Sequence, residues 1–222
     1  MRLRLHDYVA SANCYKVRLL LAQLERPYER VPVDIFDGET LTEEFARRNR
    51  GLTTPVLEIA PGQYLPESAA ILLHLSAGTG LLPSDPAERG EVHRWLFFEQ
   101  ANILPVIGAL RFRTITGRID PEGEEASRQK GIAAALVGAV EGHLAEGREF
   151  AAAGRYTIAD IALYGYLNVA HEAGLDMEPF ANVNAWRERV RRQPGHVDDL
   201  EPYPENAWPG RSNSIYDMLG II

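Results

Sequence analysis

Cysteine is nearly missing from this chain: of 222 residues, Cys14 is the only one. No disulfide can form within the chain, which fits a reducing compartment, and a cytoplasmic location is the expectation. Long apolar runs are missing too. None approaches the roughly 20 residues that span a bilayer, so membrane insertion is not expected. The opening stretch MRLRLHDY has neither an apolar core nor a small-residue cleavage site, so no secretory signal is expected. Positive charge is in deficit, with 23 Lys+Arg against 31 Asp+Glu and a net charge of -8. Clustered cations dominate binding to nucleic-acid backbones, so nucleic acid is not an expected partner. The deficit is uneven: residues 1 to 83 carry 9 basic and 10 acidic side chains, and residues 84 to 222 carry 14 and 21. A small anion meets less repulsion in the first part. The 6 histidines show no pair at ligand spacing, so no metal site is expected. Ser11 and His6 lack the G-x-S-x-G elbow of a serine hydrolase.

What is present falls into two parts. Leu3 and Leu5 alternate with charges as a short strand does, and Val17, Leu20, Leu21 and Leu24 then recur at helical spacing up to Pro27. Tyr28 to Ile35 reads as a second strand, parallel to the first because a helix separates them. An Asp37-Gly38 turn and a short helix from Thr42 to Arg48 follow. Val56 to Ile59 and Tyr64-Leu65 flank a hairpin turn, and Glu67 to Ala77 is an apolar helix. The order βαβ, α, ββα is that of the thioredoxin fold. Gly78 to Pro86, G-T-G-L-L-P-S-D-P, marks a linker. Beyond it, helices are expected at about 88 to 112, 122 to 146, 157 to 173 and 183 to 193, with Pro105 bending the first. Pro202, Pro204 and Pro209 predict an extended tail from Pro194 onward. The expected division is an α/β thioredoxin-like domain at 1–78, a linker at 79–87, and an all-α domain at 88–222 that includes the tail.

The run S-A-N-C-Y-K-V at residues 11 to 17 places Ser11 and Cys14 where a C-x-x-C motif has its two thiols. A serine hydroxyl is too basic to be the nucleophile unaided, but it can donate a hydrogen bond to a thiolate, and a helix N-terminus favours the same charge. Cys14 reads as a small buried hydrophobe. A helix-start cysteine can also have a lowered pKa, and the nearby Lys16 is as easily turned to solvent as toward it. Tyr8, at the strand end, is either a half-buried aromatic or a further donor. Thr54-Pro55 is a cis turn or a plain strand opening. Glu67-Ser68 is an anion site at a helix start, or Ser68 is an N-cap worth ~1 kcal/mol. Thr157 and Asp160 form a capping box, with Tyr156 and Ile161 at staple spacing, and carry no chemistry. Trp95, Phe97, Phe98 and Phe112 read as core, one face of that helix being able to floor an apolar substrate pocket.

Four stretches together carry a resemblance: S-A-N-C-Y-K-V-R-L-L-L, T-T-P-V-L-E, P-E-S-A-A-I-L-L-H-L and Y-T-I-A-D-I-A-L. In their order and separation the chain resembles the cytosolic glutathione S-transferase family, and best its bacterial members, whose first helix begins S-x-N-x-Y-K-V. The resemblance implies a helical-bundle second domain, glutathione as co-substrate, no metal and a homodimer. It implies that Ser11, with Asn13, meets the glutathione sulfur, and that Thr54 beside cis Pro55 pairs its backbone with the cysteinyl unit. Glu67 and Ser68 take the γ-glutamyl end. The family often has a proline after the asparagine before this strand and a cation two positions ahead of the proline, whereas here the run is Asn49-Arg50-Gly51-Leu52-Thr53-Thr54. Thr53 carries no charge, so Arg47, Arg50 or a residue of the other subunit is left for the glycine carboxylate. The expected activity is addition of the glutathione thiolate to a small apolar electrophile. Glutathione-dependent disulfide or peroxide reduction, and non-catalytic binding, are the alternatives.

Overall fold

The computed structural model describes residues 2–219, and the chain divides into two compact units. One holds the residues up to Leu75 together with those from Val197 on, and the other runs Ser76–His196.

The first unit contains β1 (Leu3–Asp7), α1 (Ala12–Gln23), β2 (Tyr28–Pro32), α2 (Glu43–Arg48), β3 (Val56–Ala60), β4 (Gln63–Pro66) and α3 (Ser68–Ser76). The sheet order is β2-β1-β3-β4, with β1 parallel to β2 and β3 antiparallel to both β1 and β4. A parallel pair needs a crossover, which α1 supplies. The core beneath it includes Leu5, Val17, Leu20, Leu57 and Ile71, all 0% exposed, each stabilising the unit by about 1.5–3 kcal/mol.

Two boundaries differ from expectation. β2 stops at Pro32, short of Ile35. Pro32 has no N–H to continue the ladder, and the strand lies at a sheet edge, where proline is tolerated. Asp34 then turns the chain, its Oδ1 accepting from the N–H groups of Phe36 and Asp37 at 2.9 and 3.2 Å. Helix α1 is ended not by Pro27 but by Glu25, at φ 51, where the left-handed backbone lets Arg26 N–H reach the Leu21 carbonyl at 2.9 Å.

The tail is placed with the helical domain by its sequence, yet it clusters with the first unit. Long-range polar contacts hold it there. Tyr15 Oη donates to the Val197 carbonyl at 2.8 Å, and Arg18 Nε donates to the Asp199 carboxylate at 3.0 Å. Arg18 is also paired with Asp7 at 2.7 Å, both side chains fully buried, while Arg30 takes the other Asp7 oxygen. Burying such charges costs several kcal/mol each, so the network is stable only while complete. Further along, Asn206 Nδ2 donates to Asp34 Oδ2 at 3.0 Å, and Asn213 N–H donates to the Phe36 carbonyl at 2.7 Å. Nor is the tail wholly extended, since it includes a short helix, α9 (Ile215–Leu219).

The second unit is helical: α4 (Pro86–Phe98), α5 (Ala109–Ile115), α6 (Glu124–Ala145), α7 (Ile158–Leu167) and α8 (Ala181–Arg191). Between α4 and α5 the chain is π-helical over Glu99–Gly108. The wider i→i+5 turn accommodates Pro105, which was expected to bend this stretch and has no N–H to give. Every residue of α7 is buried. Its capping box is formed as expected: Thr157 Oγ1 accepts from Ala159 N–H at 3.3 Å, and Asp160 Oδ2 accepts from Thr157 N–H at 2.9 Å. Asp160 Oδ1 also accepts from Ala151 N–H and Trp186 Nε1, both at 2.8 Å. Burial pushes this carboxyl up to about 6, against the pull of those three donors and of the Thr157 hydroxyl, which donates to Oδ2 at 3.3 Å. Trp95 and Phe112 are core residues as expected, but Phe97 is 68% exposed. Val92, Trp95, Leu96 and Glu99 share the buried face at i, i+3, i+4 and i+7, and Phe97 points off it. Among the described residues no helix is long and apolar enough to cross a membrane.

Candidate functional site

The starts of α1 and α3 meet in the first unit, where Ser68 Oγ donates to Asn13 Oδ1 at 3.3 Å. Ser11 is the N-cap of α1, extended at φ -81 and ψ 120, and its Oγ accepts from Cys14 N–H at 3.3 Å. A hydroxyl that accepts keeps its own proton to donate. Ser11 is half-buried, so a ligand can reach that proton.

Lys16 departs from the solvent-facing option: it has no exposed surface, and its Nζ donates to Asn13 Oδ1 at 2.9 Å. An ammonium only donates, so the Asn13 carbonyl must face it. The Asn13 NH2 is thereby left as the end that can meet an incoming acceptor. Lys16 stands three residues after Asn13, the spacing of side-chain neighbours on a helix, and that was the sequence signal for its role.

Cys14 is 0% exposed. Tyr8 N–H donates to its Sγ at 3.4 Å. Burial above all, with the Asp7 charge adding to it, pushes this thiol up to about 12, so it stays protonated. Tyr8 itself is 4% exposed and edge-on to Phe36 at 5.5 Å, and among the described residues its hydroxyl has no hydrogen-bond partner. Burial raises the Tyr8 phenol.

The Thr54–Pro55 bond is cis. The loop leading to it is tied by the buried Asn49, whose Nδ2 donates to the Thr53 carbonyl and whose Oδ1 accepts from Gly51 N–H, both at 2.8 Å. Asn49 was noted in the sequence only as a neighbour of the missing proline, and the loop geometry gives it this organising role. Glu67 is exposed and sits at φ 72, a left-handed backbone that costs a non-glycine residue about 1 kcal/mol or more. Its carbonyl accepts from Ile71 N–H at 2.9 Å. Ser68 is therefore the first residue of α3 and not its cap, and its hydroxyl serves Asn13 instead. Arg47 and Arg50 are exposed, with no ion pair among the described residues.

Ser11 thus bonds the Cys14 backbone, and Asn13 bonds both Lys16 and Ser68, at the starts of α1 and α3. Two donors border a helix start whose own thiol is sealed, an arrangement suited to an anionic sulfur brought from outside.

The comparisons with known proteins follow the same lines. The family profile of the glutathione S-transferase N-terminal domain matches residues 5–80, and that of the C-terminal domain matches residues 103–194. A solved structure of a possible glutathione S-transferase from Rhodopseudomonas palustris is 40% identical with a TM-score of 0.86, over 91% of this chain and 100% of that one. A glutathione transferase family member from Pseudomonas fluorescens, solved with two glutathione bound, is 28% identical with a TM-score of 0.78, over 91% and 93% of the two chains. The disulfide-bond oxidoreductase YfcG of Escherichia coli is 28% identical over 200 residues, 84% of this chain and 89% of that protein. The fold is therefore a thioredoxin-like unit joined to a helical unit. The chain belongs to the glutathione S-transferase family.

Proposed function

We propose that the chain is a glutathione transferase, which binds reduced glutathione on the first unit and activates its thiol for attack on a small apolar electrophile. Glu67 meets the γ-glutamyl ammonium, and the Ser68 main-chain N–H meets its carboxylate. The Thr54 backbone beside Pro55 pairs with the cysteinyl unit. The Ser11 hydroxyl donates to the sulfur, with the Asn13 NH2 assisting. The proposal includes a homodimer working in the cytoplasm, with Arg47, Arg50 or the partner subunit at the glycine carboxylate.

The observation that carries this is the sealed cysteine: Cys14 is fully buried and protonated, while Ser11, one turn away, keeps a donor free. The nucleophile then comes with the ligand. An ordinary thiol is only a few per cent ionised at neutral pH, and each pKa unit removed is worth about 1.4 kcal/mol of preference for the anion. A hydroxyl donor and a helix N-terminus together supply one to two such units, by an order-of-magnitude reckoning. The thiol proton leaves to solvent and a sulfur lone pair forms the new C–S bond. The electrophile releases its leaving group with the electron pair, or takes up a proton after addition.

Disulfide reduction is a second reading, supported by the likeness to the Escherichia coli disulfide-bond oxidoreductase. There the same thiolate attacks sulfur in place of carbon. Incubation with reduced glutathione and panels of electrophiles and disulfides separates the two: a thioether conjugate is expected, and oxidised glutathione as the sole product would favour the second. Binding without turnover of either kind would leave a non-catalytic protein. In Ser11→Ala the bound thiol pKa, read from thiolate absorbance, should rise by about one to two units, with a smaller loss of affinity.

A further inference from the structure

The cations of α1, Lys16 and Arg18, are both buried, and they are held differently. Arg18 lies between two carboxylates, Asp7 at 2.7 Å and Asp199 at 3.0 Å, which offset the cost of burial and tie the sheet and the tail to the helix. Lys16 has no exposed surface either, but its Nζ bonds the Asn13 side-chain carbonyl at 2.9 Å, three residues back on the same helix. A bond over that span joins no distant elements. Its place is also unfavourable: the N-terminal end of a helix repels a cation, and burial removes the water that would solvate one. What the bond does fix is the amide. The Asn13 oxygen has two lone pairs, and Ser68 Oγ donates to the same atom at 3.3 Å, so both are taken. Rotating the amide by half a turn would set its NH2 against an ammonium, donor against donor. Ser68 alone imposes no such choice, because a hydroxyl both donates and accepts. Asn13 is half-buried, so its NH2 end stays within a ligand's reach.

From this wiring we infer that Lys16 is a positioning residue for the proposed reaction: it locks the Asn13 amide so that its NH2, never its carbonyl, faces the sulfur of bound glutathione. The inference rests on the proposed glutathione site and deepens it, by giving the donor set beside Ser11 its polarity. An asparagine without this lock can turn either end to the ligand, and a carbonyl beside a thiolate opposes ionisation. Polarised by the ammonium behind it, the amide N–H is also a stronger donor than that of an unbonded asparagine.

The test uses the full-length protein, with Lys16→Met, which keeps the length of the side chain and loses its donor, Asn13→Ala, and the double variant. Glutathione affinity by calorimetry and thiolate absorbance against pH are recorded for each. The wild type should bind glutathione with a lowered thiol pKa. Lys16→Met should hold about three- to tenfold less thiolate below that pKa, a shift of about half to one unit, with affinity within about threefold. Asn13→Ala should shift it at least as far, and the double variant no further than Asn13→Ala, because a residue acting through Asn13 has nothing left to position. Lys16→Arg, which again can only donate, should recover most of the loss. An unchanged thiol pKa in Lys16→Met overturns the inference and leaves the site standing. Shifts that add in the double variant overturn it as well, since the lysine charge then acts on the sulfur directly. Should Lys16→Met not fold, NMR of the isotope-labelled wild type decides. The Asn13 side-chain NH2 resonances, assigned by their loss in Asn13→Ala, should move as bound glutathione ionises, and resonances that stay still overturn the inference. A wild type that does not bind glutathione removes the site itself.

Discussion

Two helix starts in this molecule use the same chemistry to different ends. At α1, Ser11 accepts one backbone N–H and is half-buried, with its proton uncommitted. At α7, Thr157 accepts from Ala159 N–H, but its hydroxyl also donates to Asp160 Oδ2 at 3.3 Å, and the residue is 0% exposed. The difference is the carboxylate. Where an acid at the third helical position closes the ring, every donor is satisfied inside the fold and nothing is left for a ligand. Where that position is held by Cys14, the cap stays open on one side. A helix cap becomes a candidate site when its hydroxyl has somewhere to send its proton only after a ligand arrives.

The largest expected effect lies on the closed side. Asp160→Ala leaves the N–H groups of Ala151, Thr157 and Trp186 without their acceptor and should cost about 3–5 kcal/mol of stability, read by chemical denaturation. The protein that remains folded should show an unaltered thiol pKa for bound glutathione. A pH series sharpens this. The Asp160 pKa is raised on folding, so the native state holds its proton more tightly than the unfolded chain between 3.8 and about 6. The stability this group contributes is full below that window and falls as pH rises through it. The margin of wild type over Asp160→Asn should therefore narrow by roughly 2 kcal/mol between pH 4 and pH 7. A margin that widens would mean the four donors outweigh burial.

On the open side the effect moves from stability to binding. Glu67→Ala should lose at least tenfold in glutathione affinity, about 1.4 kcal/mol by calorimetry. Glu67→Gly should lose as much while melting no lower than the wild type, because glycine accepts the left-handed backbone at φ 72 without strain. Unchanged affinity in both would detach Glu67 from the site. The smallest effect is expected at Cys14, where Cys14→Ala should keep conjugating activity within a few-fold, since its thiol is buried and protonated. Complete loss with the fold intact would close the open cap with the protein's own nucleophile and erase the contrast with α7.

The order of the elements was legible because each depends on near neighbours: alternation at Leu3 and Leu5, helical spacing from Val17 to Leu24, a capping box three residues long. What escaped depends on distance. Tyr15 meets Val197 and Arg18 meets Asp199 across more than 180 residues of chain, and no local pattern announces it. The tail's prolines predicted an extended path correctly in part, but not the surface it follows. At the candidate site, Ser11, Asn13 and Ser68 were named from their positions, and the structure sets all three at the starts of α1 and α3. The partner of each was not, because a side chain's direction is set by what it must satisfy. Ser68 turned to Asn13 in place of its own helix, and Lys16 turned inward because Asn13 offered an acceptor. Phe97 could have been read outward from the helical wheel alone.

The inward turn of Lys16 also makes the molecule simple to follow by covalent labelling. The sequence contains only two lysines, Lys16 and Lys130, and the second is at the surface, bonded to the Pro121 carbonyl. Acylation of Lys16 requires the first unit to open, whereas Lys130 reacts from the folded state. The ratio of the two modified peptides in a mass spectrum is then a clock for opening of the very helix that carries Ser11, with its own internal standard on α6.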